Sequence, residues 1–140
     1  MRPIGRAPAL EEISEAECLE ILDQHTVGRI AVVVDGQPVI FPVNYVISGR
    51  IISFLTGTGS KLSHAPNSKV CFEIDRYDSA TGIGWSVVVL GVAIDATDSF
   101  DDVSWAARAA TPWPLAPGAK PFRVAIEPSK ISGRRFHRRE

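Results

Sequence analysis

Apolar and polar residues alternate in short runs along the first half of the chain, and turn residues separate the runs. Asp35-Gly36 lies between the first two runs, and Asp-Gly in that position is a strong signal for a β-hairpin. Ser48-Gly49 separates the second run from the third. The pattern predicts three antiparallel strands joined by tight turns, which is a β-meander. The strands are expected at residues 27–34, 38–47 and 50–55.

The second half continues the strand pattern. Residues 69–75 alternate apolar and polar side chains with a period of two, which indicates a strand with one buried face. The apolar stretch at residues 85–95 predicts a longer strand, with Gly91 as a bulge or a point of close approach. Two last strands are expected at residues 122–127 and 130–136. Such closely spaced strands predict an antiparallel sheet that closes or half-closes into a barrel, because closure hides the strand edges.

Helix signals are few and peripheral. Ser14 is followed by a glutamate three residues later, which is the spacing of a capping box and predicts a helix that ends near residue 24. A second helix is predicted over residues 99–110, where Asp98 can cap the first turn. Residues 61–65 favour a single helical turn that the following proline ends. The predicted fold class is mainly β with two or three peripheral helices.

Length and charge limit the classes of protein to consider. The 140 residues predict a single domain over residues 1–140, with a loose arm at residues 1–9. The composition is 45% hydrophobic and 22% charged, which is ordinary for a soluble globular protein. A net charge of −1 gives no overall attraction to nucleic acid, and the basic tail is too short to make nucleic acid an expected partner. That tail contains Arg134, Arg135, Arg138 and Arg139.

Membrane, disulfide and metal sites are not expected. No apolar run approaches the roughly 18 residues of a membrane span, and the N-terminus lacks the apolar segment of a secretory signal. Cys18 and Cys71 do not form a disulfide framework and fit a reducing cytoplasm, which is the predicted location. The chain contains no HExxH or paired CxxC motif, and its histidines are far apart in sequence.

The glycine-rich segment TGTGSK at residues 56–61 is not a nucleotide-binding P-loop. A P-loop requires a glycine directly before its lysine, and Ser60 occupies that position. A dinucleotide-binding fingerprint would need a glycine at position 62, which is Leu62.

The same segment nevertheless contains groups that bind a phosphate monoester. Thr56, Ser60 and Lys61 supply two hydroxyls and an ammonium, and the glycines between them expose backbone N–H groups. The alternative is an ordinary polar surface loop with a solvated lysine. The residues by themselves leave both interpretations open.

Four further residues are candidates for contact with a flat heterocycle. The Asn44 amide could bond a ring edge, Tyr45 and Trp85 could flank the ring, and Ser86 could donate to a ring carbonyl or a phosphate. Alternatively, Asn44 and Ser86 are outward-facing strand residues, while the two aromatic residues belong to the core or to a subunit interface.

Six segments in register resemble the pyridoxamine 5′-phosphate oxidase-like flavin-binding proteins. The similarity is greatest to the short bacterial branch that includes the nitroimidazole-resistance-type proteins. Each segment alone is weak, but their order and spacing cover residues 10–136. The segments are VGRIAV, PVNY, ISFLTGTGSKL, VCFEID, GWSVVVLG and ISGRRF.

The resemblance implies a split β-barrel of six to seven antiparallel strands in a Greek-key-like arrangement. It also implies a homodimer with one FMN in each of two clefts at the subunit interface. By position, the cofactor-binding residues would be Pro42, Val43, Asn44, Thr56, Ser60, Lys61, Trp85 and Ser86. The first three would line the isoalloxazine ring and the next three would hold the phosphate. The last two would approach the cofactor, and the resemblance allows them to come from the partner subunit.

Two departures from the family pattern bear on function. The nitroimidazole-resistance proteins carry a histidine after the phenylalanine of the third strand, whereas this chain has Leu55, which argues against a nitroreductase. The substrate-phosphate arginines of pyridoxamine phosphate oxidases have no clear match. The resemblance therefore implies a flavin-dependent oxidoreductase acting on a small molecule, with catalytic residues unknown. The alternatives are a non-catalytic flavin-binding or storage module and a reductase that uses the deazaflavin F420.

Overall fold

Eight strands and one helix make up the part of the chain that the computed structural model describes, namely residues 10–57, 62, 65–97 and 121–137. In chain order they are β1 (Leu10–Ile13), α1 (Glu15–Asp23), β2 (Val27–Val34), β3 (Gln37–Asn44), β4 (Val46–Ser48), β5 (Ile51–Gly57), β6 (Lys69–Asp78), β7 (Ile83–Asp95) and β8 (Pro121–His137). No helix within these ranges is long and apolar enough to cross a membrane.

The strands form one antiparallel sheet in the order β3-β2-β6-β7-β8-β5-β4, and β1 adds to β8. The sheet curls so that β3 and β5, which are not hydrogen-bonded neighbours, come within 8 Å of each other. Alternate side chains of β2, β6 and β7 are buried inside this curl, as the period-two pattern requires. The predicted mainly β, split-barrel architecture is confirmed.

The β2–β3 hairpin turns where the sequence predicts it. Asp35 and Gly36 both have positive φ angles, of 52° and 78°, which is the geometry of a type I′ turn. The register joins Val34 to Gln37 and continues to Val27 and Asn44. The Asp-Gly prediction is therefore confirmed in position and in turn type.

The predicted second strand is interrupted at Tyr45. This side chain is fully buried, its hydroxyl donates to the Leu22 carbonyl oxygen at 2.6 Å, and its ring meets the Phe72 ring edge-on at 4.9 Å. The anchoring ends β3, and the chain continues as β4, which pairs with β5 instead of β2. Residues 38–47 are therefore two strands and not one.

The last two predicted strands are a single strand, β8. The register with β7 shifts between Leu90 and Gly91, because Leu90 pairs with Lys130 while Gly91 pairs with Pro128. Ser129 is the extra residue, and its hydroxyl donates to the Leu90 carbonyl oxygen at 3.1 Å. This β-bulge keeps the strand continuous past a proline, so the predicted break is wrong and the predicted irregularity at Gly91 is confirmed.

Helix α1 begins as the sequence predicts. The Glu17 N–H donates to Ser14 Oγ at 3.2 Å, which caps the first turn. Cys18 and Leu22 are fully buried against the sheet. The helix predicted over residues 99–110, most of the turn predicted over 61–65 and the predicted arm at 1–9 lie outside the described residues.

Candidate functional site

The predicted ring-lining residues lie at the end of β3, on both faces of the sheet. Val43 is buried on the inner face, where it pairs in register with Gly28. Pro42 and Asn44 are exposed on the outer face. Asn44 therefore has the outward orientation that sequence reasoning left open, and its amide is accessible to a ligand.

The predicted phosphate segment begins at the end of β5. Thr56 is buried, with 7% of its surface exposed, and pairs in register with Phe122. Gly57 follows, and a Cβ added there would have no heavy atom within 4 Å, so the backbone is open to an approaching group. Ser60 and Lys61 lie outside the described residues. Strands β3 and β5, which carry the first two predicted segments, come within 8 Å of each other.

The third predicted segment lies elsewhere in the same chain. Trp85 and Ser86 are on β7, where Trp85 is half-buried on the inner face and Ser86 points to the outer face. Ser86 pairs with Arg134, whereas Thr56 pairs with Phe122, so the two candidate residues lie at opposite ends of β8. At about 3.3 Å per residue, this separation is roughly 40 Å along the strand.

Sequence reasoning missed a cavity of about 340 Å³ beneath Trp85. The His25 and Trp85 rings lie 5.1 Å apart at an angle of 45°, and Arg76 also lines the cavity. Arg76 pairs in register with Trp85 across the β6–β7 ladder, and His25 comes from the segment after α1. No local motif joins these residues, since only the strand register and the helix position bring them together.

Three charged side chains form a cluster on the outer face of β2 and β6. Arg29 Nη2 lies 3.0 Å from Glu73 Oε1 and 2.6 Å from Asp75 Oδ1. Burial raises the pKa of Glu73 to about 7, and the adjacent Asp75 carboxylate adds to that rise. Hydrogen bonds from Glu73 and from Arg29 lower the pKa of Asp75. The two carboxyl groups therefore share one guanidinium and titrate at different pH values.

A wider cleft of about 710 Å³ lies on the outer face between β1, β7 and β8. Ser86, Lys130 and Arg134 contribute to its lining. Among the described residues neither of these two cations forms an ion pair, whereas Arg135 pairs with Glu17. Of the four arginines in the predicted basic tail, Arg134 faces an open cleft and Arg135 pairs with Glu17 of α1, while Arg138 and Arg139 lie outside the described residues.

Two features of the described residues could each contact part of a ligand, and they lie at opposite ends of β8. The open backbone at Gly57, next to the buried Thr56 hydroxyl, leaves room for an anion, and the half-buried Trp85 ring offers a stacking surface. The described residues contain no cluster of three or more His, Cys, Asp or Glu side chains able to hold a metal ion.

Comparison with known proteins gives a consistent result over nearly the whole chain. Residues 14–135 match the pyridoxamine 5′-phosphate oxidase family. An uncharacterized protein of Mycobacterium tuberculosis is 34% identical over 132 residues, which are 89% of this chain and 84% of the relative.

Solved structures agree with that match. A FAD-binding protein from Mycobacterium smegmatis is 37% identical, with a TM-score of 0.78 over 92% of this chain and 100% of that one. A conserved protein of unknown function from Corynebacterium diphtheriae is 32% identical, with a TM-score of 0.72 over 91% of this chain and 98% of that one.

Proposed function

Because this chain belongs to the pyridoxamine 5′-phosphate oxidase family, we propose that it binds a flavin and uses it as an oxidoreductase on a small molecule. The observation that carries the proposal is the 37% identity with the FAD-binding protein of Mycobacterium smegmatis over 92% of this chain. The open backbone at Gly57 and the exposed amide of Asn44 support it, since both leave room for a ligand beside β3 and β5.

We assign the eight predicted residues to the site in the roles that the family resemblance implies. Thr56, Ser60 and Lys61 hold a phosphate, while Pro42, Val43 and Asn44 line the ring and Trp85 and Ser86 approach it. The bound flavin would supply hydride transfer. The chain's own residues bind and orient the cofactor, and Val43 contributes through its backbone because its side chain is buried on the inner face.

The choice of flavin is part of the proposal. The sequence predicts FMN, and the Mycobacterium smegmatis neighbour is a FAD-binding protein. A cradle formed by Thr56 and Lys61 suits either molecule, because both carry a phosphate at the end of the same ribityl chain. F420 is the remaining alternative, and its different mass separates it from both.

We propose that the active form is a homodimer in the cytoplasm. Thr56 and Ser86 of one chain pair with opposite ends of β8. One cofactor can therefore contact both residues only when Thr56 comes from one copy and Ser86 from the other. The outer face supports self-association, since Ile40 and Leu90 are 67% and 43% exposed there.

The test is to purify the protein from its native host and identify the released cofactor by mass spectrometry. We expect FMN or FAD. Photoreduction of the holoprotein, followed by mixing with air, a quinone or NAD(P)H, then tests turnover. Flavin without turnover with any partner would identify a storage module, and failure to bind FMN, FAD or F420 on reconstitution would overturn the proposed function.

A further inference from the structure

The cavity beneath Trp85 has the size and lining of a site for one ring. Its volume of about 340 Å³ is near the lower end of the range for small-molecule sites, which is roughly 300–1,000 Å³. One wall is the His25–Trp85 ring pair, and the buried Ile74 side chain adds an apolar surface. A flat molecule could therefore stack on aromatic and aliphatic groups together.

The charge at the rim favours an anion. Arg76 and Asp75 both line the cavity, but Asp75 is already paired with Arg29 at 2.6 Å. Within the described part of the chain Arg76 forms no ion pair. Arg76 is therefore the cation left to bind a carboxylate or phosphate, which a guanidinium does in a bidentate manner.

His25 adds a neutral hydrogen-bonding group. Burial lowers the pKa of His25, and the positive charge of Arg76 lowers it further. Asp23 lines the adjoining cavity of about 250 Å³ with His25, and Asp75 lines the cavity beneath Trp85. The lowered pKa favours the uncharged imidazole at neutral pH, which can donate one hydrogen bond and accept another.

We propose that this cavity binds a small planar molecule bearing one anionic group, with its ring against Trp85 and its anion on Arg76. We identify this molecule with the substrate of the proposed flavin-dependent reaction. That identification rests on the proposed function, which assigns Trp85 to the cofactor's surroundings. Binding itself depends only on the cavity, the ring pair and the rim charge.

Benzoate and its neutral analogue benzamide are suitable probes for an NMR titration of the purified holoprotein. The indole N–H signal of Trp85, assigned from the spectrum of Trp85→Phe, should shift as benzoate is added. Arg76→Gln should weaken benzoate binding roughly tenfold and leave benzamide binding unchanged, because a hydrogen bond to a charged group is lost. The matched charge control is Lys69→Gln, also on β6 and outside this cavity, which should leave both affinities unchanged.

Measuring bound flavin by absorbance in the same samples separates this inference from the proposed function. Bound flavin together with an unshifted Trp85 signal, or an Arg76→Gln variant with wild-type benzoate affinity, would overturn the ring site alone. Benzoate binding in protein that cannot take up flavin would support the site and overturn the proposed function. Displacement of benzoate from the apoprotein by added FMN would show that the cavity holds the flavin ring, which contradicts a separate site.

Discussion

Glu73 is a carboxylic acid that this fold holds partly protonated near neutral pH. Burial raises its pKa from 4.5 to about 7, and the neighbouring Asp75 carboxylate acts in the same direction. Arg29 opposes the rise but is shared with Asp75. The folded chain therefore binds more protons than the unfolded chain between about pH 4.5 and 7, so the contribution of Glu73 to stability falls as pH rises through that window.

Glu73→Gln should remove this pH dependence, because the amide resembles the protonated acid. We expect the variant to gain roughly 1–3 kcal/mol of unfolding free energy relative to wild type at pH 8, and little at pH 4.5. Urea denaturation at several pH values measures the difference. A constant difference between the two proteins across this range would contradict the raised pKa.

Lys61→Ala tests the phosphate cradle. Loss of a hydrogen bond to a charged group should weaken flavin binding by about 1.5–3 kcal/mol, which is at least tenfold in Kd. Fluorescence titration of the apoprotein with FMN and with FAD measures the change. Lys69→Ala is the matched control, because that lysine is exposed at the start of β6. Equal flavin affinity in the two variants would remove Lys61 from the site.

At the residue scale, the sequence indicated which side chains could bind a ligand, but it did not indicate which residues lie next to them in the fold. Asn44 was recognised as a polar residue in an apolar strand, and the structure places it at the exposed end of β3. His25 and Arg76 were not identified as partners of Trp85. Their proximity depends on the register of β6 against β7 and on where α1 ends, and neither is encoded in a local pattern.

At the scale of elements, turns and helix caps that depend on neighbouring residues could be predicted from the sequence. Strand ends that depend on contacts between distant residues could not. The Asp35-Gly36 turn and the Ser14 cap follow from the backbone preferences of those residues and are confirmed. The end of β3 at Tyr45 depends on a hydrogen bond to a helix 23 residues earlier in the chain. Strand β1 is short, largely exposed and without clear alternation, and it forms because β8 offers an edge.

Gly133→Ala tests the packing of α1 on β8. A Cβ at that position would lie 2.8 Å from Cys18 Sγ on the helix and 3.0 Å from the Ser86 carbonyl oxygen on β7. We expect a loss of about 1–3 kcal/mol of unfolding free energy, because both neighbours are held by their own elements. Gly57→Ala is the control, since its added methyl would meet nothing within 4 Å. Equal urea midpoints for the two variants would contradict the close approach.

At the scale of the whole molecule, none of the elements that the structure describes covers the outer face of the sheet around Ile40. A row of cross-strand neighbours on this outer face runs through Ile40, Ala31, Cys71 and Leu90. Ile40 is 67% exposed and Val33, on the same face, is 63% exposed. This row is exposed at Ile40 and Leu90 and half-buried at Ala31 and Cys71, and an apolar surface of this kind supports the proposed homodimer.

Leu90→Lys should therefore shift the protein from a dimer towards the 15.2 kDa monomer. A buried unpaired ammonium at the interface would cost several kcal/mol, whereas the same charge is harmless in a monomer. Light scattering measures the mass. Ile83→Lys is the control, because Ile83 is also exposed on β7 but lies roughly 23 Å from Leu90 along the strand. A Leu90→Lys variant that stays dimeric would place the interface elsewhere.

The fold class followed from strand spacing and turn signals, because local patterns determine which segments are strands. The joining of β1, β5 and β7 to β8 did not follow, since those pairings depend on which edges remain free when the sheet curls. The family resemblance supplied the homodimer with shared clefts, and the chain's own patterns contain no equivalent signal.

Strand β8 is the last of the described strands to leave the ribosome, yet it joins β1, β5 and β7. Until residues 121–137 have been synthesised, β5 and β7 each have an unpaired edge, and Leu10–Ile13 has no neighbour. Open strand edges in a nascent chain invite pairing with other chains. These edges therefore stay exposed to other chains during synthesis, and the complete sheet forms only after residues 121–137 have left the ribosome.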